Sequence, residues 1–222
     1  MTDAERRLTA VRVEVRAASD KQTIGGYAAK FNFQSRNLGG FVERVDPNAF
    51  AKSRGDGWPE VIARYNHDDN MVLGTSRAGT LRLDTDGVGL RYDVDLPTSR
   101  ADVYELVSRG DVSQSSFAFI PFEDDWATTD QGFPLRSLLS VRLLDVAPVN
   151  TPAYEDSTVG LRGIDGAYAS LARKFDADVT EVRNLASAND LVKFFRRTDG
   201  VSAEAEKKKS AQAALARALA RG

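Results

Sequence analysis

Thr80-Leu81-Arg82-Leu83-Asp84-Thr85-Asp86-Gly87-Val88-Gly89-Leu90-Arg91-Tyr92-Asp93-Val94-Asp95-Leu96 reads as a β-hairpin. Thr80 to Leu83 pairs with Gly89 to Leu96 across the turn Asp84-Thr85-Asp86-Gly87. Leu90, Tyr92, Val94 and Leu96 alternate with polar residues and so share one face. A strand with one apolar face needs a second layer to cover it, and this sets the fold class for the middle of the chain.

The same signal continues on both sides. Val11, Val13 and Val15 alternate with Arg12, Glu14 and Arg16, a half-buried strand. Thr23 to Phe33 is a second, in which Gly25-Gly26 permits a bulge or a close backbone approach. Asp46-Pro47-Asn48-Ala49-Phe50 reads as a helix start, with Asp46 as cap and Pro47 at the first helical position. Glu60 to Tyr65 is a short apolar run that leads into Asn66-His67-Asp68-Asp69. Thr98 to Arg109 is expected to be a helix that stops at Gly110. Val112 to Phe122 and Leu138 to Val149 are expected to be strands, joined by an exposed polar loop from Glu123 to Phe133. After about Gly163 the composition turns to alanine, leucine and charge. Tyr168 to Phe175, Asn189 to Arg197 and Ser202 to Ala220 each suit a helix. These readings give an α+β fold: a β-rich domain over residues 10–163 and a helical C-terminal extension over residues 164–222.

Composition narrows the chemistry. The chain has 222 residues, a net charge of −2, no cysteine and one histidine. Disulfides, thiolate nucleophiles and cysteine-ligated metals are excluded. A base made from imidazole must be His67, and a zinc site built on several histidines within one chain is excluded. The charge balance gives no reason to expect nucleic acid or membrane as a partner, and no stretch approaches the ~20 apolar residues that span a bilayer. The N-terminal residues carry no apolar run of the secretory kind, and the chain is expected to act in the cytoplasm.

A serine hydroxyl needs an adjacent base to become a nucleophile, and the base needs a group that holds its tautomer. His67 is the available base, and a carboxylate on a neighbouring strand, such as Asp145, can orient it. In a strand from Val112 to Ile120, Ser113 and Ser115 share a face with Phe117 and Phe119, while Ser116 points the other way with Gln114 and Ala118. The aromatic face belongs to the core, so Ser116 is the serine that lines a cleft. Two blander readings accompany this one. His67, Asp68 and Asp69 could form a polar turn, or contribute to a divalent-metal site whose other ligands are not named by the sequence.

Four segments carry a resemblance. They are Glu43-Arg44-Val45-Asp46-Pro47-Asn48-Ala49-Phe50; Asn66-His67-Asp68, followed shortly by Leu73-Gly74; Gly110-Asp111 with Ser113 and Ser116-Phe117-Ala118-Phe119; and Asp145-Val146-Ala147 with Pro152-Ala153. In this order and spacing the chain resembles the caudovirus prohead serine proteases, relatives of the herpesvirus maturation protease, from roughly Tyr27 to Ala153. Gln114-Ser115 and Ala147 depart from the usual residues of that pattern.

The resemblance implies a β-rich barrel with flanking helices and a serine endopeptidase that matures phage procapsids. It implies Ser116 as nucleophile, His67 as base and Asp145 as the third member. It implies no cofactor. It also implies scaffold protein or a scaffold-like segment of the major capsid protein as substrate, self-cleavage, action inside the procapsid in the host cytoplasm, and a homodimer or higher oligomer. On this reading activity falls as pH drops through the range in which an ordinary histidine takes up a proton, near ~6.5. The alternative is a catalytically silent assembly or scaffold protein on the same fold. A hydrolase acting on non-peptide esters is disfavoured by the lack of a G-x-S-x-G elbow.

Overall fold

The computed structural model describes residues 4–16, 21–150 and 164–196. It is an α+β structure built on two sheets. The larger has six strands: β1 (Glu5–Arg12), β9 (Val112–Thr128), β10 (Pro134–Asn150), β5 (Ile62–Arg64) and β6 (Val72–Thr75) in that order, with β4 (Val42–Val45) also paired to β10. The smaller has the order β2 (Glu14–Arg16), β3 (Thr23–Lys30), β8 (Gly89–Asp95), β7 (Leu81–Thr85). The expected β-rich core with flanking helices is present. Among the described residues its strands pair as two sheets rather than as one closed circuit.

The hairpin with which the sequence reading began is β7–β8, in register from Leu81 opposite Val94 to Thr85 opposite Leu90. Its buried face meets the inner face of the large sheet. Ile24, Leu90, Tyr92 and Val94 from one sheet share a core with Phe117, Phe119, Leu138, Leu143 and Val146 from the other. Burying such side chains supplies most of the driving force for folding, at roughly 25 cal/mol per Å² of apolar surface. Gly25 packs close, since a Cβ there would lie 2.2 Å from Asp93 Oδ1 and 2.5 Å from the Tyr92 carbonyl oxygen.

Helix α2 (Ala101–Arg109) follows a 3₁₀ turn at Thr98–Arg100 and inserts Val103 and Val107 into this core. It ends at Gly110, whose φ of 84° is the left-handed cap that glycine adopts without steric cost.

Three expectations need correction. The segment Glu123–Phe133 is not an exposed loop. β9 and β10 are each 17 residues long; β9 runs on through Glu123 to Thr128 and β10 starts at Pro134, so that the turn is confined to the residues between them. Trp126 is buried, and the Asp124 carboxylate accepts from Arg136 Nε at 2.6 Å. The first strand begins at Glu5, earlier than the valine alternation indicates, because Glu5 and Arg7 are charged yet buried. Helix α1 is Ala51–Gly55 rather than a helix begun at Pro47; Asp46 instead closes a turn by accepting from the Asn48 N–H at 2.8 Å.

α3 (Ile164–Lys174) and α4 (Val179–Ser187) pack on a second core with Phe41 and Trp126, and residues 192–196 are again helical. α4 was not anticipated from the sequence, and the helix expected at Ser202 to Ala220 lies outside the described residues. Among the described residues no helix is long and apolar enough to cross a membrane.

Candidate active site

The site lies on the outer face of the large sheet, where β9 runs between β1 and β10. Ser116 on β9 is opposite Leu8 on β1 and Ala147 on β10. Ser115 takes the opposite face, where its buried hydroxyl lies 3.0 Å from the Tyr92 hydroxyl. Phe117 and Phe119 are buried, and stack with centroids 5.1 Å apart. The face assignment read from alternation is the one the structure shows, but Ser116 is itself buried rather than part of the lining of the neighbouring cleft.

Asp145 reaches the Ser116 face through a break in register. Leu143 is opposite Phe119 and faces the core, but Asp145 is opposite Ala118, so Leu144 is an extra residue in β10. In an unbroken strand Asp145 would follow Leu143 into the core. After the break Val146 takes the core position and Asp145 shares an outer face with Ala118 and Ser116. The buried hydroxyl of Ser53, on α1, serves the backbone just before the break: it donates to the Val141 carbonyl and accepts from the Leu143 N–H, both at 3.2 Å.

His67 is delivered by the turn after β5. Asn66 and His67 both have left-handed backbones, φ 52° and 58°. Asparagine tolerates this region better than most residues. The turn is tied to the end of β10: the Asn66 N–H donates to the Pro148 carbonyl at 3.1 Å, and the Asn66 side-chain oxygen accepts from the Asn150 N–H at 3.1 Å.

The three side chains come together. His67 Nδ1 is 2.6 Å from Asp145 Oδ1, and His67 Nε2 is 2.6 Å from Ser116 Oγ. A carboxylate only accepts, so Nδ1 carries the proton and Nε2 of a neutral ring is free to accept from the serine. Asp68 and Asp69 turn elsewhere. Asp68 accepts from the Asn70 backbone, and Asp69 faces Arg64, so a metal site made with His67 is not formed.

Two further groups, not identified from the sequence, touch the trio. Arg64 Nη1 donates to Asp145 Oδ2 at 2.9 Å, and the Arg7 carbonyl lies 2.8 Å from Ser116 Oγ. The serine hydroxyl has one hydrogen, so it serves either the imidazole or this carbonyl at a given moment. Arg64 had a legible signal, for it lies two residues after Ile62, the strand partner of Asp145, and so falls on the same face. A backbone carbonyl has no such signal. Beside the trio is a cleft of about 340 Å³ whose lining includes Arg6, Ile62, Arg64, Ala118, Arg142 and Asp145.

A family model described as caudovirus prohead serine protease matches residues 10–168, an interval that contains all three side chains. The chain belongs to that family. It is a serine peptidase, and its role is capsid maturation. Among solved structures, the bacteriophage T4 capsid assembly protease is similar, with a TM-score of 0.46 and 10% identity over 68% of this chain and 97% of that one. Comparison with curated proteins finds no match.

Proposed function

We propose that Ser116, His67 and Asp145 are the catalytic triad of this protease, and that it cleaves scaffold protein, or a scaffold-like segment of the major capsid protein, within the assembling procapsid. The observation that carries the reading is the unbroken chain of contacts from Asp145 through His67 to Ser116, 2.6 Å at each step. Ser116 Oγ attacks the scissile carbonyl while its proton passes to His67 Nε2. The same proton is then given to the leaving amine, and water repeats the cycle on the acyl-enzyme. Asp145 holds the imidazole in the productive tautomer and offsets the charge it acquires. The chemistry requires no cofactor.

Residues 10–163 form the protease domain in this reading, and residues 164–222 an extension in which α3 and α4 pack against Trp126 and the tail beyond them is a site of self-cleavage. The protease works in the host cytoplasm as a homodimer or higher assembly. The triad contacts argue against a catalytically silent scaffold protein, which has no use for a serine held on a histidine.

The test is co-expression of wild type or Ser116→Ala with the capsid protein and scaffold from the same source, followed by intact mass. Cleavage is expected with wild type and absent with Ser116→Ala. Cleavage that persists in the variant would overturn the assignment of the nucleophile.

A further inference from the structure

The geometry points to Arg64 as a positioning residue of the site, an inference that rests on the triad reading above. We propose that it fixes the Asp145 carboxylate and, through it, the orientation of the His67 ring.

Asp145 is buried, and a buried carboxylate needs partners for both oxygens. His67 takes Oδ1 and Arg64 takes Oδ2, at 2.6 and 2.9 Å. With Oδ2 held, rotation of the carboxylate about its Cβ–Cγ bond is blocked and Oδ1 stays aimed at Nδ1. Arg64 is itself held. Its side chain is 18% exposed, and Asp69 Oδ1 lies 3.1 Å from its Nε. Nε makes no hydrogen bond there, so the Asp69 contact is an attraction of charge rather than a directed bond. Asp69 belongs to the turn that carries His67. Arg64 therefore stands on β5 between the strand that supplies the carboxylate and the turn that supplies the imidazole.

The other charged groups around this cleft are Arg6 on β1, Glu60 before β5 and Arg142 on β10, while Asp68 on the His67 turn points away to the Asn70 backbone. None of them contacts Asp145 directly among the described interactions, so the effect of Arg64 is separable by substitution.

The probe is an alkyl fluorophosphonate, which reports serine activation without knowledge of the peptide substrate. The serine oxygen bonds to phosphorus, fluoride leaves and the serine proton passes to the histidine. The rate of phosphonylation is measured by intact mass at neutral pH for wild type, Arg64→Lys, Arg64→Met and Asp69→Asn, alongside thermal unfolding. Arg64→Met is expected to react about 10- to 100-fold more slowly at neutral pH, by analogy with removing the partner that orients a metal-ligating residue. Arg64→Lys, which keeps a donor for Asp145 Oδ2, is expected to restore most of the rate, and Asp69→Asn to react within about threefold of wild type.

A wild-type rate in Arg64→Met would overturn the proposal. So would equal losses in the Lys and Met variants, which would make Arg64 a structural residue only. Should Arg64→Met fail to fold, Arg64→Lys decides: a folded Lys variant that reacts about 10-fold or more slowly than wild type overturns the proposal. Phosphonylation of a residue other than Ser116 in wild type would instead overturn the triad reading on which this one stands.

Discussion

Asp145 and Ser116 stand diagonally across two antiparallel strands. Asp145 is opposite Ala118, and Ser116 is opposite Ala147. Such diagonal neighbours are separated by roughly 7–8 Å, which is about the span of an imidazole with a short hydrogen bond at each end. The sheet register thus sets the gap that His67 fills. Asp145→Asn keeps the shape of that gap but can present an amide N–H to Nδ1 and favour the wrong tautomer. Activity on a capsid or scaffold substrate is expected to fall by about 10³- to 10⁴-fold with an unchanged far-ultraviolet circular dichroism spectrum.

The Ser53 hydroxyl bonds the backbone just before the break in register at Leu144. Removing that hydroxyl leaves the Val141 carbonyl and the Leu143 N–H without their side-chain partner in a buried setting. Ser53→Ala is expected to cost about 1–3 kcal/mol, read by denaturant unfolding. It is also expected to lower kcat more than it changes KM, because the strand segment that carries Asp145 loses its anchor. Unchanged kcat with lowered stability would show that the break is maintained without α1.

The turn under His67 offers a separate handle. Asn66 combines a left-handed backbone with a side-chain bond to the Asn150 N–H. Asn66→Ala loses both advantages and is expected to cost about 1–2 kcal/mol, together with a fall in kcat. Asn66→Gly restores the backbone freedom but not the bond. Its thermal midpoint is therefore expected to lie above that of the alanine variant, with a kcat still below wild type.

Ser115 and Ser116 are adjacent but belong to different sides of the sheet. Ser115→Ala is expected to retain cleavage, whereas Ser116→Ala is not. Burial raises the phenol of Tyr92, the partner of Ser115, well above its ordinary value, with the Ser115 bond acting weakly in the other direction. In the unfolded chain a tyrosine ionises near ~10. The contribution of a buried neutral Tyr92 is thus complete below about pH 10 and is lost as pH rises beyond it, where only the unfolded chain can ionise. Urea unfolding from pH 8 to 11 is expected to show falling stability in wild type and a shallower fall in Tyr92→Phe.

Much of this was legible in the sequence, and the gaps share a cause. The β7–β8 hairpin, the glycine stop at Gly110 and the outward turn of Ser116 are local properties of a few neighbouring residues, although the hairpin turn lies between Thr85 and Gly89 rather than at Asp84 to Gly87. The continuation of β9 past Glu123, the start of β10 at Pro134 and the start of β1 at Glu5 are not. Both depend on charges that alternation assigns to solvent but that find partners far along the chain. Arg136 is buried and pairs with Glu5, Glu43 and Asp124, and Arg7 pairs with Glu5 and Glu43. Trp126 donates to Ser170, which donates to Asp124, so α3 is drawn into the same group. An unpaired charge in that position would be strongly destabilising, whereas the paired set is tolerated. Asp145 was chosen by resemblance and by its place on a neighbouring strand. The break at Leu144 that turns it to the outer face leaves no mark in the order of residues.

The flanking of β9 by β1 and β10 has a consequence for inhibitor design. A compound that imitates an extended peptide usually gains affinity by adding itself to an unpaired sheet edge. At Ser116 both edges are already taken, by Leu8 on one side and Ala147 on the other. A ligand at Ser116 therefore gains no backbone pairing from β9 itself, and its side groups must supply that share of the grip.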